Sequence, residues 1–388
     1  MRARFLFSCA CLLMACSADT FVSNDAGQEA GPISGDGAAD ATPEAAPPLT
    51  CDAGQTACTG TCVDTQSDTK NCGACGHDCL GGDCTLGKCQ PFTIAQNQFQ
   101  VTVLAPTATQ LYWSRDVTGV QNGGIFVADL DGQNEAKLFD AGGGSCSGLL
   151  VDGADSYFFC TGAIYHCALP SCPSGPTTLV PITDVVDAAL DKTNSRIYFS
   201  VKTLYDAQTG GYVGWIPTTG GGAPSRIVAA DQLNPHEIFL DNGVLYWLDY
   251  GTYKNDVAQY NGGVRSAPLG TNQTMSVLVN DFTDLNFSGL TVSGNTVYYG
   301  AGSSIMSTAT SGGLVATFTP SGAGQIIADA TYLYWTDAGA SVYRCAKTSC
   351  TTPTTLATGE NYPVAIAQDA VSIYWADYFG GQIRRLAK

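Results

Sequence analysis

The pentapeptide Leu333-Tyr334-Trp335-Thr336-Asp337 constrains this chain more than any other stretch, because variants of it return along most of its length. They read Leu111-Tyr112-Trp113-Ser114, Tyr157-Phe158-Phe159, Ile197-Tyr198-Phe199-Ser200, Leu245-Tyr246-Trp247-Leu248-Asp249, Val297-Tyr298-Tyr299 and Ile373-Tyr374-Trp375-Ala376-Asp377, at intervals of 36 to 52 residues. Self-similarity of this kind marks a repeat architecture, in which each unit buries its apolar face against its neighbours.

The flanks repeat as well. An apolar run precedes the aromatic pair, as in Gln325-Ile326-Ile327-Ala328-Asp329, and Gly-rich turns follow it. A third run (Val342-Tyr343-Arg344) and a fourth (Thr354-Thr355-Leu356-Ala357) complete the unit. Four short β-rich runs with no segment of helical period describe a propeller blade, so the fold class is all-β. Seven copies predict seven blades, with six or eight as alternatives. The last copy stops after its third run at Arg385-Leu386-Ala387-Lys388, whereas Phe92-Thr93-Ile94-Ala95-Gln96-Asn97 looks like a fourth run with no blade of its own. Donating that segment to the last blade would close the ring and remove its exposed edges.

These repeats resemble the YWTD β-propellers of low-density-lipoprotein-receptor-like proteins. Ile125-Phe126-Val127-Ala128-Asp129-Leu130-Asp131-Gly132-Gln133-Asn134 looks like that family's following strand and turn. Two departures stand out: the family usually has six blades, and only residues Leu333 to Asp337 carry the motif whole. The resemblance implies a binding scaffold more readily than an enzyme.

The amino end reads Met1-Arg2-Ala3-Arg4, then an apolar stretch, then Leu13-Met14-Ala15-Cys16. A basic start and a short apolar core describe a secretory signal over residues 1–15. Its ending resembles a bacterial lipobox, which implies a lipidated Cys16 and a membrane partner through the lipid anchor; several acyl chains hold a protein stably where one does not. Ser17 after the cysteine favours, by analogy, an outer-membrane lipoprotein of a bacterial cell envelope, facing the periplasm or the cell surface. Residues 16–50 are rich in Ala, Gly, Asp, Pro and Glu, cannot bury enough apolar area to offset their ordering entropy, and predict a disordered tether.

Residues 51–90 hold Cys51, Cys58, Cys62, Cys72, Cys75, Cys79, Cys84 and Cys89 with hardly any aliphatic side chains, so disulfides must replace a core. Sequence leaves their connectivity open. Cys72 and Cys75 with His77 or Cys79 have zinc-like spacing, but an oxidising address favours disulfides, and Gly76 after the second cysteine excludes covalent haem. Asn71-Cys72-Gly73-Ala74-Cys75-Gly76-His77-Asp78-Cys79 resembles the Stig1-like cysteine-rich module found also in secreted myxobacterial proteins. The propeller, residues 91–388, carries Cys146, Cys160, Cys167, Cys172, Cys345 and Cys350. Cys167 with Cys172 and Cys345 with Cys350 share one spacing and one repeat position, which pairs each locally and leaves Cys146 with Cys160.

The formal net charge of -17 makes nucleic acid a poor partner, since backbone recognition needs a basic stripe and only Arg384, Arg385 and Lys388 cluster. Trp113, Trp247, Trp335 and Trp375 occupy fixed repeat positions and read as core rather than as a sugar platform; Trp215 lies outside the pattern. Asp129-Leu130-Asp131-Gly132-Gln133-Asn134-Glu135 lacks the spacing of a calcium loop and reads as a tight turn. No nucleophile elbow, Walker loop, zincin or dinucleotide motif is present.

His236 and Glu237 stand just before a first strand, where blade loops converge on the central channel, and Asp187, Gln100, Ser147, Ser288 and Tyr362 align with them as candidate channel-mouth residues. One acidic member in a weakly polar ring is a thin basis for metal catalysis, so neither catalytic residues nor a cofactor or metal is assigned. The sequence thus predicts an envelope-anchored monomer whose propeller binds a protein or glycan partner. The alternative is a hydrolase or lyase at the channel mouth, resembling propeller lactonases or streptogramin lyases.

Overall fold

The computed structural model describes residues 49–116, 122–160, 162–202, 211–251, 253–254, 257–258, 261–280, 287–337 and 339–388. The predicted signal segment, Cys16 and the tether up to residue 48 lie outside the described residues. Those described form strands and turns, with no helix among them.

Seven four-stranded antiparallel sheets make the blades of one propeller. Their first strands are Val101–Pro106, Cys146–Asp152, Val185–Asp191, Pro235–Asp241, Phe287–Ser293, Ile326–Ala328 and Pro363–Gln368. Each contacts the next, and Pro363–Gln368 contacts Val101–Pro106, so these strands ring the axis. The Tyr-Trp motif forms the second strand of every blade. Its position explains its chemistry: Trp113, Trp247, Trp335 and Trp375 are fully buried, each removing roughly 150–250 Å² from water, worth about 4–6 kcal/mol as an upper bound. Neighbouring Tyr and Phe side chains fill the seams between blades.

The ring closes through Phe92–Ala95, which pairs with Ile383–Ala387 as the fourth strand of blade 7. Ile94 and Ala95 are buried in the seam between blades 7 and 1. Blade 4 carries an insertion between its second and third strands, where Tyr253–Lys254 pairs with Val257–Ala258.

In the cysteine-rich module the bonds are Cys51–Cys62, Cys58–Cys75, Cys72–Cys84 and Cys79–Cys89. Loops of this size each restrict the unfolded chain by about 3 kcal/mol in the chain-entropy model. Gly73 has φ 75°, and a Cβ there would lie 2.5 Å from the carbonyl oxygen of Gly87, so only glycine fits. In the propeller the pairs are Cys146–Cys160, across adjacent strands, and Cys167–Cys172 and Cys345–Cys350, each in a turn from third to fourth strand.

Candidate functional site

The top face of the propeller is the rim where each fourth strand hands over to the next first strand and where second strands turn into third strands. The candidate channel-mouth residues all lie there, but in two sets rather than one ring.

The first set sits inside the first strands, or in the case of Gln325 just ahead of one, and is turned towards the next blade. Thr102 Oγ1 donates to the Cys146 oxygen at 3.3 Å, and Ser147 Oγ donates to the Val185 oxygen at 2.8 Å. Asp187 Oδ2 accepts from Ile238 N at 2.9 Å, and Glu237 accepts from Gly289 N. Ser288 Oγ donates to the Ala323 oxygen, and Gln325 Oε1 accepts from Ile366 N at 3.1 Å. A side-chain-to-backbone bond therefore spans each junction from blade 1 to blade 7. At the remaining junction the fully buried Ala365 packs with Val101 and Leu104 instead.

The second set carries the left-handed backbone. Gln100, Asp184, Asn234 and Tyr362 have φ between 56° and 63°. Their carbonyl oxygens accept from Asp116 N, Lys202 N, Tyr250 N and Tyr378 N, at 3.0, 3.0, 3.1 and 3.0 Å. Gln100 and Tyr362 thus do not share a register with His236. Gln100 and Tyr362 stand 11 residues before the starts of their motifs, Leu111 and Ile373, whereas His236 stands 9 before Leu245; the β-bulge at the start of the first strand is common to all three blades. Sequence reasoning also missed the donors Asp116, Lys202, Tyr250 and Tyr378. Each stands five residues after the start of its motif (Leu111, Ile197, Leu245, Ile373), and that fixed offset is the signal that would have found them.

Around blade 4 the site is densely coupled. Tyr250 Oη donates to the Glu237 carboxylate, 2.8 Å from Oε1 and 2.9 Å from Oε2. The His236 ring stacks on that of Tyr250, with centroids 3.8 Å apart. Burial, reinforced by the charge of Asp187, pushes Glu237 up to about 7 despite the bonds it accepts. Asp187 is likewise raised by burial to about 6. Burial first and nearby Lys202 second lower His236 to about 4, so its imidazole is neutral at pH 7.

Beside this cluster a cleft of about 360 Å³ opens between blades 1 and 3, lined by Asp116, Ser145, Ser147, Asp184 and Lys202, with Cys160 of the Cys146–Cys160 bond in its wall. On the other side of Asp116, Tyr362, Tyr378 and Phe379 pack against one another with centroids 5.0 to 6.2 Å apart.

The other sequence candidates have structural partners. Asp129 accepts from Asn134 Nδ2 and Gln110 Nε2 in a closed turn. Arg384 pairs with Glu360, Arg385 Nε donates to Ser372 Oγ, and Lys388 Nζ donates to Gln368 Oε1. Among the described residues one cluster has metal-like spacing, Cys72, Cys79 and Cys89, and its sulfurs are in disulfides. Trp215 stacks under Arg196, whose Cζ lies 3.9 Å from the ring centroid.

Residues 40–91 match the Stigma-specific STIG1-like protein family. No curated protein matches the chain. Among solved structures it is similar to a catalytically inactive virginiamycin B lyase from Staphylococcus aureus with quinupristin (TM-score 0.59, 15% identity, 77% of this chain and 98% of that one). It is also similar to the AfRom2 CNH domain (0.54, 10%, 77% and 99%). The computationally designed Ika8 protein is a third (0.52, 12%, 76% and 98%). At these identities the likeness shows the fold alone.

Proposed function

We propose that the protein is a cell-envelope lipoprotein whose tether and cysteine-rich module hold a rigid propeller, and that the top face of this propeller binds a protein or glycan partner. The reading rests on how the inner polar side chains are used. Ser147, Asp187, Glu237 and Ser288 bond to the neighbouring blade, so the channel wall is a girdle for the ring, while the loops above it present aromatic and charged groups outward.

Two experiments test it. Cys16→Ser is expected to move the protein from the membrane to the soluble fraction; unchanged fractionation removes the anchor. Cross-linking in intact envelopes is expected to capture a partner that Phe379→Ala loses and Leu314→Ala, on a turn from third to fourth strand at the opposite rim, retains. Equal capture by both variants removes the top face.

A second reading has its own observation. Glu237, raised to about 7 by burial and bonded to Tyr250, on whose ring the neutral His236 stacks, is the cluster that a hydrolase or lyase at the channel mouth would use. It predicts about one tightly held divalent ion per chain on elemental analysis, lost with His236→Ala. Metal-free protein with no turnover would leave the scaffold.

A further inference from the structure

The aromatic ledge and the polar cleft meet at Asp116. Tyr362 and Phe379 are 41% and 57% exposed, with ring centroids 5.2 Å apart. Phe is among the side chains most often buried and Tyr is intermediate, yet Phe379 is held out beside Tyr362. The hold is firm: Tyr378 N donates to the Tyr362 oxygen, Phe379 N to the Asn361 oxygen and Gln100 N to the Tyr378 oxygen. Tyr362 also keeps a φ of 62°, a conformation that costs a bulky side chain about 1–2 kcal/mol and persists only where the surroundings impose it. The same chain of bonds continues from the Gln100 oxygen to Asp116 N, at 3.0 Å. Asp116 then walls the cleft together with Ser145, Asp184 and Lys202. Ledge and cleft form one crescent over blades 7, 1, 2 and 3.

Its chemistry selects a ligand. A ledge of aromatic faces suits a flat ring that carries C–H bonds on one side. A cleft with two carboxylates, a hydroxyl and an ammonium suits a ligand dense in hydroxyl groups, which both donate and accept. Protein partners prefer an interface core depleted of charge, whereas here the aromatic ledge passes directly into charged side chains. Anionic ligands meet two carboxylates against one lysine on a chain of net charge -17. We propose that this crescent binds a neutral oligosaccharide, with one pyranose stacked on Tyr362 and Phe379 and the following residues hydrogen-bonded by Asp116, Ser145, Asp184 and Lys202. This rests on the top-face binding reading and names its ligand class.

The test is calorimetric titration of the full-length chain, in a detergent without sugar headgroups, with hexamers of β-1,4-linked glucose, mannose, xylose and N-acetylglucosamine, of α-1,4-linked glucose, and of polygalacturonate as the anionic control. At least one neutral hexamer is expected to bind saturably. Phe379→Ala and Asp184→Asn, the latter compatible with left-handed backbone, are each expected to weaken it about tenfold or more, while Leu314→Ala leaves it unchanged. Circular dichroism melts of all three variants check the fold. Absence of saturable binding by every neutral hexamer, equal affinity in all variants, or preference for the polygalacturonate hexamer overturns the assignment. If no neutral hexamer binds but envelope cross-linking still depends on Phe379, the glycan falls and the scaffold stands; if neither occurs, both fall.

Discussion

The Nε2 atom of His77 lies 3.0 Å from the main-chain oxygen of Lys388, while its Nδ1 lies 2.6 Å from that of Cys72. One imidazole ring therefore spans the cysteine-rich module and the residue that follows the third strand of blade 7. The seam beside it holds a cleft of about 370 Å³ lined in part by Lys88, Arg344 and Leu386, and Cys89 packs against the cluster of Tyr334, Ile366 and Leu386. His77→Ala is expected to cost about 1 kcal/mol at this seam and to speed proteolysis around residues 89–92, with a smaller change in propeller melting. Cleavage at the wild-type rate would mean that the disulfides, rather than His77, position the module.

Strand donation makes a sharper stability prediction. Ile94 is 4% exposed and packs with Leu104, Leu111 and Ala365 between the first and last blades. Ile94→Ala is expected to destabilise the propeller by about 2–4 kcal/mol in urea unfolding. Deletion of residues 92–97 is expected to do more, because blade 7 then exposes an unpaired edge. A midpoint unchanged by the deletion would rule out closure by this strand.

Most of the fold was legible because a blade announces itself locally. The aromatic pair, the flanking apolar runs and the orphan segment from Phe92 all follow from period and from missing strands, and the fully buried Trp335 and Trp375 show why the motif cannot drift. The site was less legible. His236 and Asp187 could be picked out as polar residues near first strands, whereas Gln100 and Tyr362, 11 residues before their motifs rather than 9 or 10, fall in the turn ahead of the strand. Sequence could not tell that Asp187 points at Ile238 N, or that Tyr378 would stand beside Asp116, because those relations cross blades whose relative placement only the ring closure sets.

The Trp indoles carry another device of this kind. Trp375 Nε1 donates to Glu360 Oε2 at 2.9 Å, Trp113 Nε1 to Gln98 Oε1 at 3.1 Å and Trp335 Nε1 to Ser321 Oγ at 3.3 Å. Each acceptor precedes its tryptophan by 14 or 15 residues and ties the loop entering a blade to that blade's second strand. Glu360 pairs as a charge, its Oε1 with Arg384 at 2.6 Å, whereas the neutral Gln98 also accepts from Arg115 Nη1 at 3.2 Å. Glu360→Ala is expected to destabilise by about 3–5 kcal/mol, as removal of one partner from a buried pair does, and Gln98→Ala by about 1–3 kcal/mol. Equal small losses at both positions would show that the loops are held by their backbone bonds alone.

Carboxyl groups held above their ordinary range give the stability of the ring an unusual dependence on pH. Burial raises Glu237 from 4.5 to about 7, with Asp187 adding repulsion, and raises Asp187 from 3.8 to about 6. Asp249 and Asp377 are raised in the same direction, to about 6 and about 7. Between about pH 4 and pH 7 the unfolded chain has released these protons while the folded ring retains them, so the folded state binds more protons and stability falls as pH rises. The stabilisation is complete below the unfolded values and lost as pH climbs through the folded ones. Hydrogen-bonded carboxylates held low, such as Asp64 and Asp78, work the other way and lose stability only on further acidification. The melting temperature is therefore expected to be higher at pH 5 than at pH 8, with each raised group contributing a slope of at most about 1.4 kcal/mol per pH unit. In the double variant Asp187→Asn, Glu237→Gln two of the four raised groups cannot ionise, and the fall from pH 5 to pH 8 should shrink by roughly half. A fall of undiminished size would place the titration elsewhere, and a melting temperature that rises towards pH 8 would show that these carboxylates are solvated in the folded ring.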